Sequence, residues 1–258
     1  MRSLFGVLRY EFRMSIQRRA ILFVILAFAV FFVYLILGSG LDAESYSEGG
    51  QNLLVDAGQV IFLLNLFFPV VVGISSADRA IRDTQLGVEE LLRSTRLGNV
   101  SYVLGKYLGV ALSMLTVELL IVTLLSALMV LVLKLPVVFI AYTLLAVFLL
   151  SAPAIFFVVA FSVFCPLFMP VRVYQILFTG YWYWGNYLNP EVLPTISQTL
   201  LNASGKYARQ AFLGVYDSVS FSNATAIEAV ANIAILLFCA GLAIMAMIVY
   251  IGYRQRRR

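Results

Sequence analysis

The chain has 258 residues, of which 62% are hydrophobic and 12% are charged, and its formal net charge is +5. Soluble domains carry roughly 25% charged residues, so this composition excludes an ordinary water-soluble domain and indicates a membrane protein. Histidine is absent, which excludes catalytic triads and zinc motifs that require an imidazole. The chain also has no G-x-x-x-x-G-K-S/T motif, so we expect it to bind no nucleotide, metal or other cofactor by itself.

Residues 1–19 predict an amphipathic helix that lies in the plane of the inner membrane surface. An apolar stripe with i, i+4 spacing runs along one side, and arginines lie on the other; the stripe consists of Leu4, Leu8, Phe12 and Ile16. This pattern is typical of a helix lying among anionic lipid headgroups. The alternative is a basic leader that only sets the topology.

Six apolar runs follow, each close to or longer than the roughly 20 residues that cross the hydrocarbon of a bilayer. They cover residues 20–37, 58–77, 104–133, 137–163, 173–188 and 229–251. They predict an all-α, multi-pass membrane protein with six transmembrane helices in a single domain, 1–258.

The basic residues fix the expected orientation. With the N terminus in the cytoplasm, the inner segments hold 15 of the 18 Lys and Arg residues, and the outer segments keep only Lys134, Lys206 and Arg209. By the positive-inside rule, both termini are cytoplasmic and the protein lies in the cell membrane. Because this anchoring in membrane lipid accounts for the basic charge, we expect no nucleic-acid partner.

The inner segment 78–103 mixes both signs of charge and contains a short amphipathic element. Val88, Leu91 and Leu92 share one face by i, i+3, i+4 spacing, with Glu89 and Arg93 beside them. A short helix with an apolar ridge suits docking into a groove of a soluble partner. The alternative is a charged loop that packs on its own bundle.

One acidic residue, Glu118, falls near the middle of the third run. Burying a charge there costs about 2.5–3.5 kcal/mol on insertion scales, so its side chain should face the bundle interior, water or another subunit. We assign it to the translocation path or a dimer interface, with Asn65 of the second run as a candidate partner. The alternative is a hydrogen bond without functional role.

The last two outer features are an aromatic cluster and a long loop. The fifth span follows an inner turn that we predict at residues 165–172. Its outer end carries the aromatic cluster, which predicts an outer aromatic belt formed by Tyr181, Trp182, Tyr183 and Trp184. A stacking platform for sugar or lipid is the alternative. The outer loop 189–227 predicts two short re-entrant helices, 192–201 and 207–216, which would line a vestibule.

The inner segment carries a family resemblance. After the second span, the chain reads Gly-Val-Glu-Glu-Leu-Leu-Arg-Ser-Thr and then Tyr-Val-Leu-Gly-Lys-Tyr-Leu-Gly. With the basic N-terminal helix and six spans, this resembles the permease subunits of ABC-2 type exporters. Val88 and Arg96 depart from the family pattern, where Thr and Pro are usual.

The resemblance implies a half-transporter that pairs with a second permease subunit, as a homodimer or heterodimer. Two separate ATP-binding cassette ATPase subunits would dock beneath, and they would bind ATP and Mg²⁺. The residues implied to couple to the ATPase are Asp83, Gly87, Val88, Glu89, Glu90, Leu91, Leu92 and Arg93.

Three other functions are open from the sequence. A haem-exporter B-type subunit also has six spans, although the absence of histidine argues against haem ligation by this chain. A stand-alone secondary transporter could use Glu118 as its proton carrier. A membrane anchor or immunity protein would transport nothing.

Overall fold

The computed structural model describes residues 2–17, 52–79, 81–82, 98–190, 192–215 and 224–257, with scattered positions between 23 and 34. These residues form helices and turns without β-strands. Most of the first apolar run and the predicted coupling residues lie outside the described residues.

Among the described residues, four helical segments are long and apolar enough to cross a membrane. They are α2, Leu53–Ser76; α3, Asn99–Val132; the composite segment Val138–Leu167; and α8, Ala226–Arg257, of which Ala226–Arg254 is the candidate span. The structure therefore confirms a helical protein with several helices that could span a membrane. Six spans and the orientation of the termini stay predictions.

The composite segment contains three kinds of helix. It comprises α4, Val138–Ala146; a π-helical turn, Val147–Ser151; α5, Ala152–Phe164; and a 3-10 turn, Cys165–Leu167. Pro153 explains the π turn, because proline has no N–H and its ring clashes with the carbonyl four residues earlier. Helix α5 lies at the centre of the bundle, where it packs against α2, α3 and α8.

The fifth apolar run forms α6, Val171–Tyr187, which has 17 residues. At 1.5 Å per residue, its length is about 26 Å, less than the roughly 30 Å of hydrocarbon. The chain turns between the 3-10 turn and α6, at 168–170, inside the predicted turn 165–172.

One predicted boundary is wrong. Helix α3 begins at Asn99, so residues 99–103 are helical and do not belong to a loop that ends at 103. The reason is that Gly98 is the last helix-breaking residue before the apolar run.

In the outer segment, residues 192–201 form turns, whereas the second predicted helix is present as α7, Lys206–Leu213. Pro194 disfavours helical backbone at the residue before it. The hydroxyls of Thr195 and Ser197 both donate to the backbone oxygen of Leu188, at 3.2 and 2.8 Å, so side chains replace the helical hydrogen bonds there.

Candidate functional site

Three charged side chains meet in a buried ion cluster at one end of the bundle. Lys106 Nζ of α3 donates a hydrogen bond to Glu11 Oε1 at 2.8 Å, and Arg79 Nη1, just after α2, lies 3.7 Å from Glu11 Oε2. All three side chains are buried. Glu11 belongs to α1, Arg2–Ile16. Removing the carboxylate would leave two cations buried, which typically costs about 3–5 kcal/mol for a broken buried pair.

Two glycines let α1 approach α3 closely enough to form this ion cluster. A Cβ atom at Gly109 would lie 2.7 Å from Glu11 Cβ and 2.8 Å from the backbone oxygen of Leu8. A Cβ atom at Gly105 would lie 2.9 Å from Val7 Cβ. The spacing Gly-x-x-x-Gly is the small-residue pattern by which helices pack backbone to backbone in membranes.

The ion cluster connects the two ends of the inner segment. Arg79 is three residues beyond the end of α2, and Lys106 is in the second turn of α3. Both contact the carboxylate of Glu11 in α1, so the segment between them is anchored to the same helix at its beginning and at its end. The coupling residues predicted in this segment lie outside the described residues: Asp83, Gly87, Val88, Glu89, Glu90, Leu91, Leu92 and Arg93.

A second polar group lies deeper in the bundle, around Glu118. Glu118 is 12 residues after Lys106 on α3, about 18 Å along the helix axis. It is fully buried, and its two carboxyl oxygens form no hydrogen bond with any described residue. The hydroxyl of Ser151, the last residue of the π turn, lies beside this carboxyl group.

The structure brings Asn65 into the same group, with Ser151 between it and Glu118. Ser151 Oγ donates to Asn65 Oδ1 at 3.3 Å, and Asn65 Nδ2 donates to the backbone oxygen of Ser204 at 2.7 Å. Three span segments and the outer loop thus supply one polar core. π-Helical turns are frequent at functional sites.

The predicted aromatic belt is wrong for Trp182. This side chain has 0% exposure, and its Nε1 donates to the backbone oxygen of Leu66 at 3.2 Å. Pro69 of α2 has no N–H, so the carbonyl of Asn65 lacks its helical donor; the hydroxyl of Tyr187 donates to it at 3.1 Å. The aromatic residues of α6 therefore stabilise the proline-containing region of α2.

The other residues of the predicted belt are more exposed than Trp182. Tyr181 and Tyr183 are half-buried, and Trp184 is 45% exposed. Because Trp182 and Trp184 are two positions apart on a helix, they point to different sides, one towards α2 and one away from the core.

The outer segment is joined to the bundle by buried asparagines that sequence analysis did not single out. Asn202 Nδ2 donates to the backbone oxygens of Ser197 and Asn186, at 2.6 and 3.2 Å. Asn186 Oδ1 accepts from the backbone N–H of Ala203 at 2.6 Å, and Asn232 Nδ2 donates to the backbone oxygen of Asn202 at 2.8 Å. These bonds satisfy the irregular backbone above the polar core, as burial requires.

The ion cluster is suited to coupling the movements of α1, α2 and α3, and the polar core around Glu118 is suited to charge movement. Among the described residues, no group of three or more Cys, Asp or Glu side chains could hold a metal ion. The ion cluster can transmit a displacement of the inner segment to α1, α2 and α3 together. The Glu118 core offers a buried carboxylate beside a hydroxyl and an amide, a set of groups that can hold a proton or face a second subunit.

Sequence comparison adds nothing to this geometry: no protein-family model matches the chain, and no curated protein is significantly similar to it.

Proposed function

We propose that the chain is the transmembrane permease subunit of an ATP-binding cassette exporter in the cell membrane. A second permease subunit would complete the translocation path. A separate ATPase subunit would bind ATP and Mg²⁺ and drive transport. The proposal joins the resemblance of residues 87–106 to ABC-2 permeases with the geometry at both ends of this inner segment.

The ion cluster is the observation that carries the proposal. Glu11 contacts Lys106 at 2.8 Å and Arg79 at 3.7 Å, so one residue near each end of the inner segment contacts the same carboxylate. A force applied to the segment by a soluble partner therefore reaches α1, α2 and α3 as a unit. Rigid attachment of this kind converts a domain movement into a movement of the spans.

Glu118 favours a second candidate function, a secondary transporter that works without an ATPase. A fully buried carboxyl group with no hydrogen-bond partner among the described residues is the kind of group that carries protons in membrane transporters. The two functions differ in the energy source: ATP hydrolysis by a partner, or a proton gradient across the membrane.

Co-purification with an ATPase tests the proposal. We would purify the tagged chain from its native membrane and measure the ATP-binding cassette ATPase that co-elutes. Replacing Leu91 and Leu92 together by Asp should release the ATPase, because charge would interrupt the apolar ridge. The matched control is Leu86→Asp, one residue before Gly87 and outside the ridge, which should retain it.

Two results would count against the permease proposal. One is ATPase that co-elutes unchanged with the Leu91→Asp, Leu92→Asp variant. The other is cargo movement in proteoliposomes that contain the chain alone and respond to a proton gradient, which would support the secondary transporter.

A further inference from the structure

A cavity of about 450 Å³ lies between α6 on one side and the helices α5 and α8 on the other. Helix α6 packs against α2, whereas α5 packs against α8, and the cavity lies where these two units face each other. The outer segment contributes two apolar side chains, Ile196 and Leu201, to the lining. The volume is within the range of small-molecule sites, and the cavity is separate from both the ion cluster and the polar core around Glu118.

Aromatic rings line the two facing walls of this cavity. On α5, the ring centroids of Phe157 and Phe161 are 4.8 Å apart; on α6, those of Tyr174 and Phe178 are 5.7 Å apart, and these two rings are nearly parallel. Aromatic rings attract other rings in offset-stacked or edge-to-face geometry. The walls therefore favour a flat ring system over a flexible alkyl chain.

The charge of the lining determines which ligands the cavity accepts. Among the described residues that line it, none is charged. A charged ligand would lose its hydration here without an opposite charge to compensate, and this loss is costly in a membrane bundle. The ligand that fits is therefore uncharged.

The hydroxyl of Tyr181 can bond to a polar group of the ligand. Tyr181 lines the cavity and is half-buried, and its hydroxyl forms no hydrogen bond with a described residue. The hydroxyl of Tyr174, by contrast, is bonded to Ser162 Oγ at 2.8 Å. Since a buried tyrosine hydroxyl ordinarily has a partner and hydrocarbon supplies no water, the Tyr181 hydroxyl is suited to donate to an acceptor on the ligand.

We propose that this cavity binds an uncharged, planar aromatic molecule that carries a carbonyl oxygen or a similar acceptor. The rings of α5 and α6 pack against the faces of the ligand, and the Tyr181 hydroxyl donates a hydrogen bond to its oxygen. An alkyl chain of a membrane lipid is the competing occupant, and it has neither the ring system nor the acceptor.

Fluorenone and fluorene test the proposal, because they have the same shape and differ in one carbonyl group. We would measure saturable binding of each tritiated compound to nanodiscs that contain the chain, with empty nanodiscs as the reference for dissolution in lipid. At equal mole fraction in the lipid, fluorenone should bind about fivefold more tightly, as expected for one neutral hydrogen bond. Tyr181→Phe should abolish this difference. The matched control Tyr183→Phe, which removes a hydroxyl of α6 outside the cavity lining, should keep it.

A second variant fills the cavity and leaves the Tyr181 hydroxyl in place. Cys239 of α8 lines the cavity and is half-buried, so Cys239→Phe should abolish saturable binding of both compounds. Met245→Phe is the control, because Met245 is exposed on α8 and does not line the cavity. Thermal unfolding of each variant checks that the bundle remains folded.

Four results would overturn the proposal: no saturable binding, equal affinity for the two compounds, a preference for fluorenone that survives Tyr181→Phe, or unchanged binding to the Cys239→Phe variant. Displacement of fluorenone by dodecane as readily as by fluorene would also overturn it, because it would identify a site for alkyl chains. Binding is measured without an ATPase or a proton gradient, so the outcome is independent of the transport function.

Discussion

Glu118 is a carboxyl group that is fully buried in the bundle beside the hydroxyl of Ser151. An amide of the same shape avoids the cost of burying a charge, about 2.5–3.5 kcal/mol on insertion scales. We therefore expect Glu118→Gln to assemble normally and to unfold at the same or a higher temperature, with altered transport. Thermal unfolding in detergent and flux in proteoliposomes measure the two effects.

Glu228→Gln is the control for this substitution, because Glu228 is an exposed carboxylate at the start of α8. It should leave transport unchanged. Normal transport by Glu118→Gln would remove the functional role of Glu118, and a marked loss of stability would show that the carboxylate makes stabilising contacts.

At the scale of elements, the contact between α1 and α3 depends on two glycines. A methyl group at Gly109 would meet Glu11 Cβ and the Leu8 backbone at less than 3 Å, whereas one at Gly241 of α8 has no atom within 4 Å. Alanine within a helix is ordinarily about 0.5–1 kcal/mol more favourable than glycine. Gly109→Ala should therefore lower the unfolding temperature, and Gly241→Ala should raise it slightly.

The two variants are informative together because their expected changes in unfolding temperature have opposite signs. If Gly109→Ala stabilised the protein as much as Gly241→Ala, α1 would not pack on α3 through this surface, and the ion cluster around Glu11 would lose its support.

At the scale of the whole molecule, the charge pattern predicts which end of the bundle faces the cytoplasm. Gly98, in the inner segment, and Gln198, in the outer segment, are both exposed. After Cys165 and Cys239 are replaced by Ala, we expect an impermeable maleimide to label Gln198→Cys in intact cells. Gly98→Cys should react only after the membrane is permeabilised.

Labelling of both positions from the same side would contradict the predicted topology. Labelling of Gly98→Cys alone in intact cells would invert it and place the inner segment out of reach of a cytoplasmic ATPase.

The sequence located the long helices well and the irregular segments poorly. Four apolar runs appear as long helices near their expected positions, because length and hydropathy decide which segments lie in a bilayer. The predicted helix 192–201 is wrong, since Pro194 disfavours helical backbone before it and the hydroxyls of Thr195 and Ser197 bond to the backbone of Leu188. Of the site residues, Glu118 and Asn65 were identified because polar residues are rare in apolar runs. Glu11 was missed, since an acidic residue in a basic N-terminal helix is unremarkable until its partners are known.

The sequence by itself determined that this protein is helical and has several segments apolar and long enough to cross a membrane, because these properties depend on composition and periodicity along the chain. Only the tertiary structure decided that Glu11 joins Arg79 and Lys106, that Trp182 bonds to α2, and that Tyr181 lines a cavity between α6 and α5. Each of these contacts links residues that are distant in sequence, and a helix periodicity specifies which side is apolar but not which neighbour covers it.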